Sequence, residues 1–307
     1  MNPYSYPPIE PRFNLQLKEA TAKWSHYAVD FPTAHPNGFA GSKTVLGDYF
    51  CPQNASKVPL VILVHGMGDR SVMPCKLLAR TLVKRGMACF ILYLVFHERR
   101  MPEAIKEHFP KMTANEWFES YEISVTDIRQ VVDLASTRQE INAEKVSVIG
   151  ISFGGFVSAI AMGLDQRIKA GVFVVSAGNS EKMTRNSLIL KKQYKYNEAE
   201  YHQNQTRYEQ YLAEVAEKGF ENVTPAKKSY LTDPMTFACY LRNRPLLMVN
   251  ALWDEMIPRE AALDMWQACG KPPIMWFPAT HASIWMWYPV IGWKIARFLK
   301  SNLQLSR

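Results

Sequence analysis

Two kinds of hydrophobic pattern alternate along this chain. Residues 59–64, 87–95, 145–149, 170–175, 245–250 and 273–277 are short runs dominated by consecutive apolar, often β-branched side chains. Runs that are apolar on both faces and bounded by turn residues read as buried parallel strands. Between them lie segments with helical character: 74–84 closed by Gly86, 113–137, 155–162, 259–268 stopped by Gly270, and 283–300. In 113–137, Trp117, Tyr121, Val125, Ile128, Val132 and Ala135 fall on one face, and Thr113 with Glu116 has the spacing of a capping box. Strand–helix alternation of this kind predicts a parallel sheet covered on both faces by helices. Two earlier strand-like runs, 24–30 and 44–51, flank a loop rich in Pro, Gly and Asn that suits a hairpin-like connection. The expected fold is therefore a single α/β domain over 1–307 with a mostly parallel, eight-stranded sheet. Residues 1–23, proline-rich and then amphipathic around Phe13, Leu15 and Leu17, are expected to form an N-terminal arm laid over that domain.

The alternation breaks at 179–240, which carries no strand signal and is rich in Lys, Gln, Glu and Tyr. Tyr194, Tyr201, Tyr208 and Val215 recur every seven residues, giving this stretch an amphipathic stripe of its own. It is too long for a plain loop and reads as an inserted helical cap. Its tyrosines either pack against the main domain or line a substrate pocket, with Tyr194 the candidate for contact.

Composition narrows the class. At 307 residues with 48% hydrophobic and 21% charged side chains, the chain can bury a large core and is not extensively disordered. The net charge of +8 is spread over scattered basic pairs such as Arg99-Arg100, Lys191-Lys192 and Lys227-Lys228, not the concentrated stripe that nucleic-acid binding requires. Five cysteines, odd in number and without a C-x-x-C pair, argue against a disulfide framework or a zinc site and suit a reducing compartment. No apolar run is long enough to span a bilayer, and the N-terminus lacks a basic flank followed by an apolar core. A cytoplasmic protein without metal or cofactor is expected, its oligomeric state open.

Candidate chemistry centres on Gly150-Ile151-Ser152-Phe153-Gly154, a G-x-S-x-G set between a strand and a small-residue helix. That context marks a nucleophile elbow, in which a sharp turn lifts the serine hydroxyl clear of the sheet and flanking glycines remove side chains that would collide. The helix N-terminus behind the serine favours developing negative charge. A serine hydroxyl needs a base within hydrogen-bond reach, itself oriented by a carboxylate. In a doubly wound sheet those groups belong on loops at the carboxyl ends of strands. Of seven histidines only His281 follows the last strand; Asp254 lies just past the strand at 245–250, with Glu255 as the alternative acid. An oxyanion needs backbone donors, for which the N–H groups of Phe153 and of Met67, in the turn His65-Gly66-Met67-Gly68, are the candidates. His65 itself suits a structural role within that turn.

The His65-Gly66 turn, the Ser152 elbow, the Asp254 loop and His281, in that order, resemble the α/β-hydrolase superfamily, in its carboxylesterase and dienelactone-hydrolase-like part. The likeness covers essentially the full length; the turn is His-Gly-Met-Gly, unlike the His-Gly-Gly-Gly run of hormone-sensitive-lipase-like esterases. It implies Ser152 as nucleophile, His281 as base, Asp254 as orienting acid, and Met67 and Phe153 as oxyanion donors. The expected activity is hydrolysis of small-molecule carboxylic esters through an acyl-enzyme. It should rise through about pH 6–8, because the base must be neutral to act. A peptidase, amidase or thioesterase would use the same groups, and a catalytically silent binding protein is the reading from a different class. Further substrate-contact candidates are His65, His97, Trp253 and Trp285. The His97-Glu98-Arg99-Arg100 group could bind a substrate carboxylate or hold the cap by ion pairs, and Trp253, Trp285 and Trp287 could wall an acyl pocket or pack the core.

Overall fold

The computed structural model describes residues 2–7, 13–35, 43–67, 72–97, 99–101, 103–107, 111–193 and 197–303. Strands β1 (Asn14–Ala20), β2 (Trp24–Pro32), β3 (Thr44–Pro52), β4 (Val58–Val64), β5 (Ala88–Tyr93), β6 (Ile141–Ile151), β7 (Ile168–Val174), β8 (Leu246–Ala251) and β9 (Ile274–Phe277) form one sheet. Its order is β1-β2-β3-β5-β4-β6-β7-β8-β9. Pairing is antiparallel from β1 to β5 and parallel from β5 to β9.

The described strands number nine rather than the eight expected, because part of the supposed arm is a strand. Phe13, Leu15 and Leu17 sit two residues apart, the period of a pleated strand, and Asn14–Ala20 pairs antiparallel with β2. Ahead of it Tyr4 is fully buried, donating its hydroxyl to Leu231 O at 2.7 Å and packing edge-on to Phe237.

Alternation along the central strands divides the core. Leu60, Ile62 and Val64 of β4 face one side, packed with α3 (Ala114–Thr137) and α4 (Phe153–Leu164). Val61 and Leu63 face the other, packed with α1 (Val72–Val83) and α9 (Tyr288–Asn302). The short α2 (Glu103–Lys106) follows β5. α3 starts at the expected capping box: Thr113 accepts from Glu116 N, and the Glu116 carboxylate accepts from Thr113 N. The stretch 283–300, expected as one helix, divides into a 3-10 turn, Ser283–Trp287, and α9, which begins where Pro289 suits a first helical turn.

Between β7 and β8 lie α5 (Ser180–Asn186), α6 (Glu198–Lys218) and α7 (Pro234–Ala238), joined by 3-10 turns. The insertion is held by buried polar groups at its root. Asp233 accepts from the amides of Asn179 and Ser180, and the Asn179 and Gln205 amides bond each other. Tyr201, Tyr208 and Val215 of the seven-residue stripe are buried, and Tyr208 clusters with Tyr211 and Tyr230. The fourth member, Tyr194, lies outside the described residues. α8 (Arg259–Ala268) joins β8 to β9 and is tied to α5 by an ion pair between Lys182 and Asp264.

Candidate active site

The central parallel strands β4, β6, β7 and β8 end on one edge, so the residues that follow them gather there. Ser152 turns the chain from β6 into α4 with φ 53 and ψ −121, a conformation that side chains other than glycine rarely adopt. Flanking backbone makes this turn possible. A Cβ on Gly150 would lie 2.4 Å from Gly154 O, and one on Gly154 only 2.2 Å from Val64 O. The elbow therefore packs backbone to backbone against the end of β4.

His281, on the loop after β9, places Nε2 3.0 Å from Ser152 Oγ. Its Nδ1 lies 2.9 Å and 3.0 Å from the two oxygens of Asp254. Asp254 Oδ1 also accepts from the amides of Met256 and Ile257, which hold the carboxylate in place. Glu255, the alternative acid, has another role: its Oε2 accepts from His281 N at 3.1 Å, anchoring the backbone that carries the imidazole. The Glu255 carbonyl accepts from Leu188 N and Ser187 Oγ, so the insertion braces the acid-bearing loop.

A cavity of about 270 Å³ opens over Ser152 and His281, bounded by Gly66, Met67, Ile151, Val175 and Trp285 among others. The described lining includes no residue of the 179–240 insertion. Met67 borders the cavity from the turn after β4. Phe153 is buried as the first residue of α4, so its N–H has no carbonyl one turn back to bond. Its ring packs edge-on to Phe96 and Tyr121.

Three of the other candidates are buried within the fold. His65 is fully buried: Nε2 accepts from Leu94 N at 3.0 Å, which leaves the ring proton on Nδ1 to donate to Gly66 O at 2.6 Å. It staples the Gly66-Met67 turn to the end of β5 and does not line the described cavity. His97 is buried and stacked on Tyr93 at 4.2 Å between ring centroids. Arg100 neither meets the cavity nor holds the insertion. It is buried with Asp127 of α3 at 2.6 Å, and it donates to the carbonyls of Tyr93 and Thr44. Glu98 lies outside the described residues. The tryptophans divide: Trp285 lines the cavity, Trp287 packs on Phe277, and Trp253 is 65% exposed and away from the described lining.

Val175 and Pro74 line the cavity without having been singled out in the sequence. Val175 directly follows β7, the strand beside the elbow, so the rule that sites collect at carboxyl ends of strands points to it. It also has φ 45, unusual for a β-branched residue. Pro74 carries no such signal. Among the described residues no three His, Cys, Asp or Glu side chains converge as a metal site requires, and no helix is long and apolar enough to cross a membrane.

Comparison with known proteins fits this arrangement. A family model described as alpha/beta hydrolase fold matches residues 59–268. In sequence the chain is 26% identical over 208 residues to the uncharacterized protein PA2218 of Pseudomonas aeruginosa; the match takes in 67% of this chain and 49% of that protein, so this chain spans about half the length of the curated relative it matches. An acetyl xylan esterase from Paenibacillus sp. R4 superposes with a TM-score of 0.68 at 18% identity, covering 96% of this chain and 90% of the other. Est1E from Butyrivibrio proteoclasticus, solved with ferulic acid bound, superposes at 0.60 and 19% identity over 85% of this chain and 96% of its own.

Proposed function

From the alpha/beta hydrolase fold family, to which this chain belongs, we propose that it is a serine hydrolase cleaving small carboxylic esters. The observation that carries this reading is the unbroken line from the Asp254 carboxylate through both ring nitrogens of His281 to Ser152 Oγ, ending in a cavity. In the proposed reaction Ser152 attacks the ester carbonyl while His281 Nε2 takes its proton. Asp254 holds the ring with its other N–H directed at the carboxylate and stabilises the imidazolium that forms. The oxyanion is received by the N–H groups of Met67 and Phe153. His281 then gives its proton to the departing alkoxide, and water attacks the acyl-enzyme with the same imidazole as base.

The cavity is at the small end for a ligand site, and Ile151, Val175 and Trp285 make much of its wall apolar. Both features favour a short acyl group, in keeping with the acetyl xylan esterase that shares the fold. The test is hydrolysis of nitrophenyl esters from acetate to decanoate, with Ser152→Ala alongside. Turnover should be fastest for the shortest chains, and Ser152→Ala should lower kcat by about 10⁴-fold or more without shifting the melting temperature. A Ser152→Ala protein as fast as the unaltered one would refute the mechanism. No turnover of any ester, amide or thioester would favour a silent binding protein.

A further inference from the structure

Helices α1 and α9 lie side by side on one face of the sheet, and their outer surfaces are patterned alike. On α1 and just beyond it the exposed positions Met73, Leu77, Arg80 and Lys84 follow one another in steps of four and three. Across α9 and the turn before it, Met286, Val290, Trp293, Arg297 and Lys300 repeat those steps. Such spacing keeps each set on one face. Each stripe begins apolar and ends cationic. The stripes are neighbours, since both helices bury their inner faces in one cluster and Tyr288 Oη of α9 donates to Leu77 O of α1 at 2.7 Å.

Polarity along the stripes has a direction. The apolar halves are the N-terminal ends of the helices, at the sheet edge where Met67, Pro74 and Trp285 border the cavity. Met286 is 83% exposed there, beside the exposed Val290 and Trp287. The cationic halves lie further back: seven residues separate Met73 from Arg80, about 10 Å of helix. Neither helix contains an Asp or Glu, and the sequence has none after Asp264. Trp293, at the boundary between the halves, has the cations of Lys294 and Arg297 at 5.3 Å and 5.5 Å from its ring.

We propose that this face is a docking surface for an anionic lipid bilayer. The apolar tips enter the boundary between headgroups and acyl chains, typically about 5–10 Å deep, while the cations one to three turns back meet lipid phosphates. A tryptophan at that boundary is the residue type enriched at membrane interfaces. The charge pattern disfavours a second copy of the chain as the occupant. A two-fold contact on this face would set cations either against cations or, with the stripes antiparallel, against apolar halves, and no carboxylate on either helix would meet them. Nucleic acid would meet the cations but would leave Met73, Leu77, Met286 and Val290 without an apolar partner. Docked this way, the cavity mouth faces the interface, where amphiphilic compounds concentrate.

The test is sedimentation of the full chain with vesicles of phosphatidylcholine alone and of phosphatidylcholine mixed equally with phosphatidylglycerol. Binding should be confined to the anionic vesicles, weaken with salt, and shift tryptophan emission to the blue. Arg80→Glu with Arg297→Glu should weaken it by more than the roughly fivefold expected for each cation removed. Met73→Gln with Met286→Gln should abolish the blue shift; these exposed positions lie outside the core, so melting temperatures should hold. Ser152→Ala should bind as the unaltered protein does, which separates this surface from the hydrolase reading. Absence of binding to anionic vesicles at low salt would overturn the proposal. So would binding that survives all four substitutions, retention of RNA in place of vesicles, or a concentration-dependent dimer lost in the same variants.

Discussion

Ser152 holds its unusual backbone conformation where flanking glycines let backbone approach backbone. Gly154 is the sharpest case: its missing Cβ would sit 2.2 Å from Val64 O and 2.5 Å from His65 O, both backbone atoms. Gly86 makes the contrast, since it has φ +80 and open space where a Cβ would go. Gly86→Ala should therefore cost about 1–2 kcal/mol of backbone strain. Gly154→Ala should cost at least as much as ordinary overpacking, about 3 kcal/mol, and should displace Ser152 from His281. Urea denaturation of the two variants measures the difference; equal costs would show that the close approach to β4 is not what requires Gly154. That Ser152, Asp254 and His281 come together was legible because each follows a strand and the proposed chemistry admits few residue types. The orientation of Trp253 was not, because a tryptophan beside the candidate acid is as compatible in sequence with solvent as with a pocket wall.

Among the elements, β1 is the instructive one. Its side chains are largely exposed, so backbone pairing to β2 rather than burial defines it, and a reading based on hydrophobic faces finds an arm instead. The two-residue spacing of Phe13, Leu15 and Leu17 did carry the strand signal. The segment before it contributes one large anchor: Tyr4 fills a site between Arg129 of α3 and Leu231 and Phe237 of the insertion. Tyr4→Phe should lose about 1 kcal/mol for the hydrogen bond to Leu231 O. Tyr4→Ala should lose about 3–5 kcal/mol, as for other large aromatic deletions. Thermal unfolding distinguishes the two; a Tyr4→Ala protein as stable as the parent would mean that this segment is merely laid on the surface. The insertion was legible as helical from its seven-residue stripe. Its bracing of the acid loop through Ser187 and Leu188 was not, since nothing local specifies contact with a residue 68 positions away.

At the scale of the whole molecule, Glu122 links stability to pH. It lies on α3, half-buried, with His35 Nε2 at 3.9 Å. Burial pushes its pKa up to about 7; Lys228 pulls it down, and Glu119 pushes it further up. Between the usual carboxylate range and about pH 7, the folded protein therefore holds a proton that the unfolded chain releases. Stability contributed by this group is present at low pH and falls as pH rises across that window. His35, pushed down by burial, works in the opposite sense, losing stability as pH falls below the usual histidine range. Comparing Glu122→Gln with the parent isolates the carboxyl: the variant should melt higher at pH 8 and at the same temperature near pH 4. Equal melting temperatures at both would show that Glu122 is ionised without penalty in the fold.

By itself the sequence pointed to the parallel core, most of the strands and helices in their order, the elbow, and the Asp254 and His281 side chains that the fold brings to Ser152. These follow from local periodicity, turn chemistry and the rule that functional loops gather at strand ends, each readable over a few residues. Only the tertiary structure decided that β1 completes the sheet, that Glu255 anchors His281 while Asp254 bonds its ring, and that Arg100 is buried against Asp127. It alone also showed that α1 and α9 align two apolar-to-cationic stripes beside the cavity. Those outcomes depend on which distant surfaces meet, and the pattern along a chain does not encode the direction in which a side chain finds its partner.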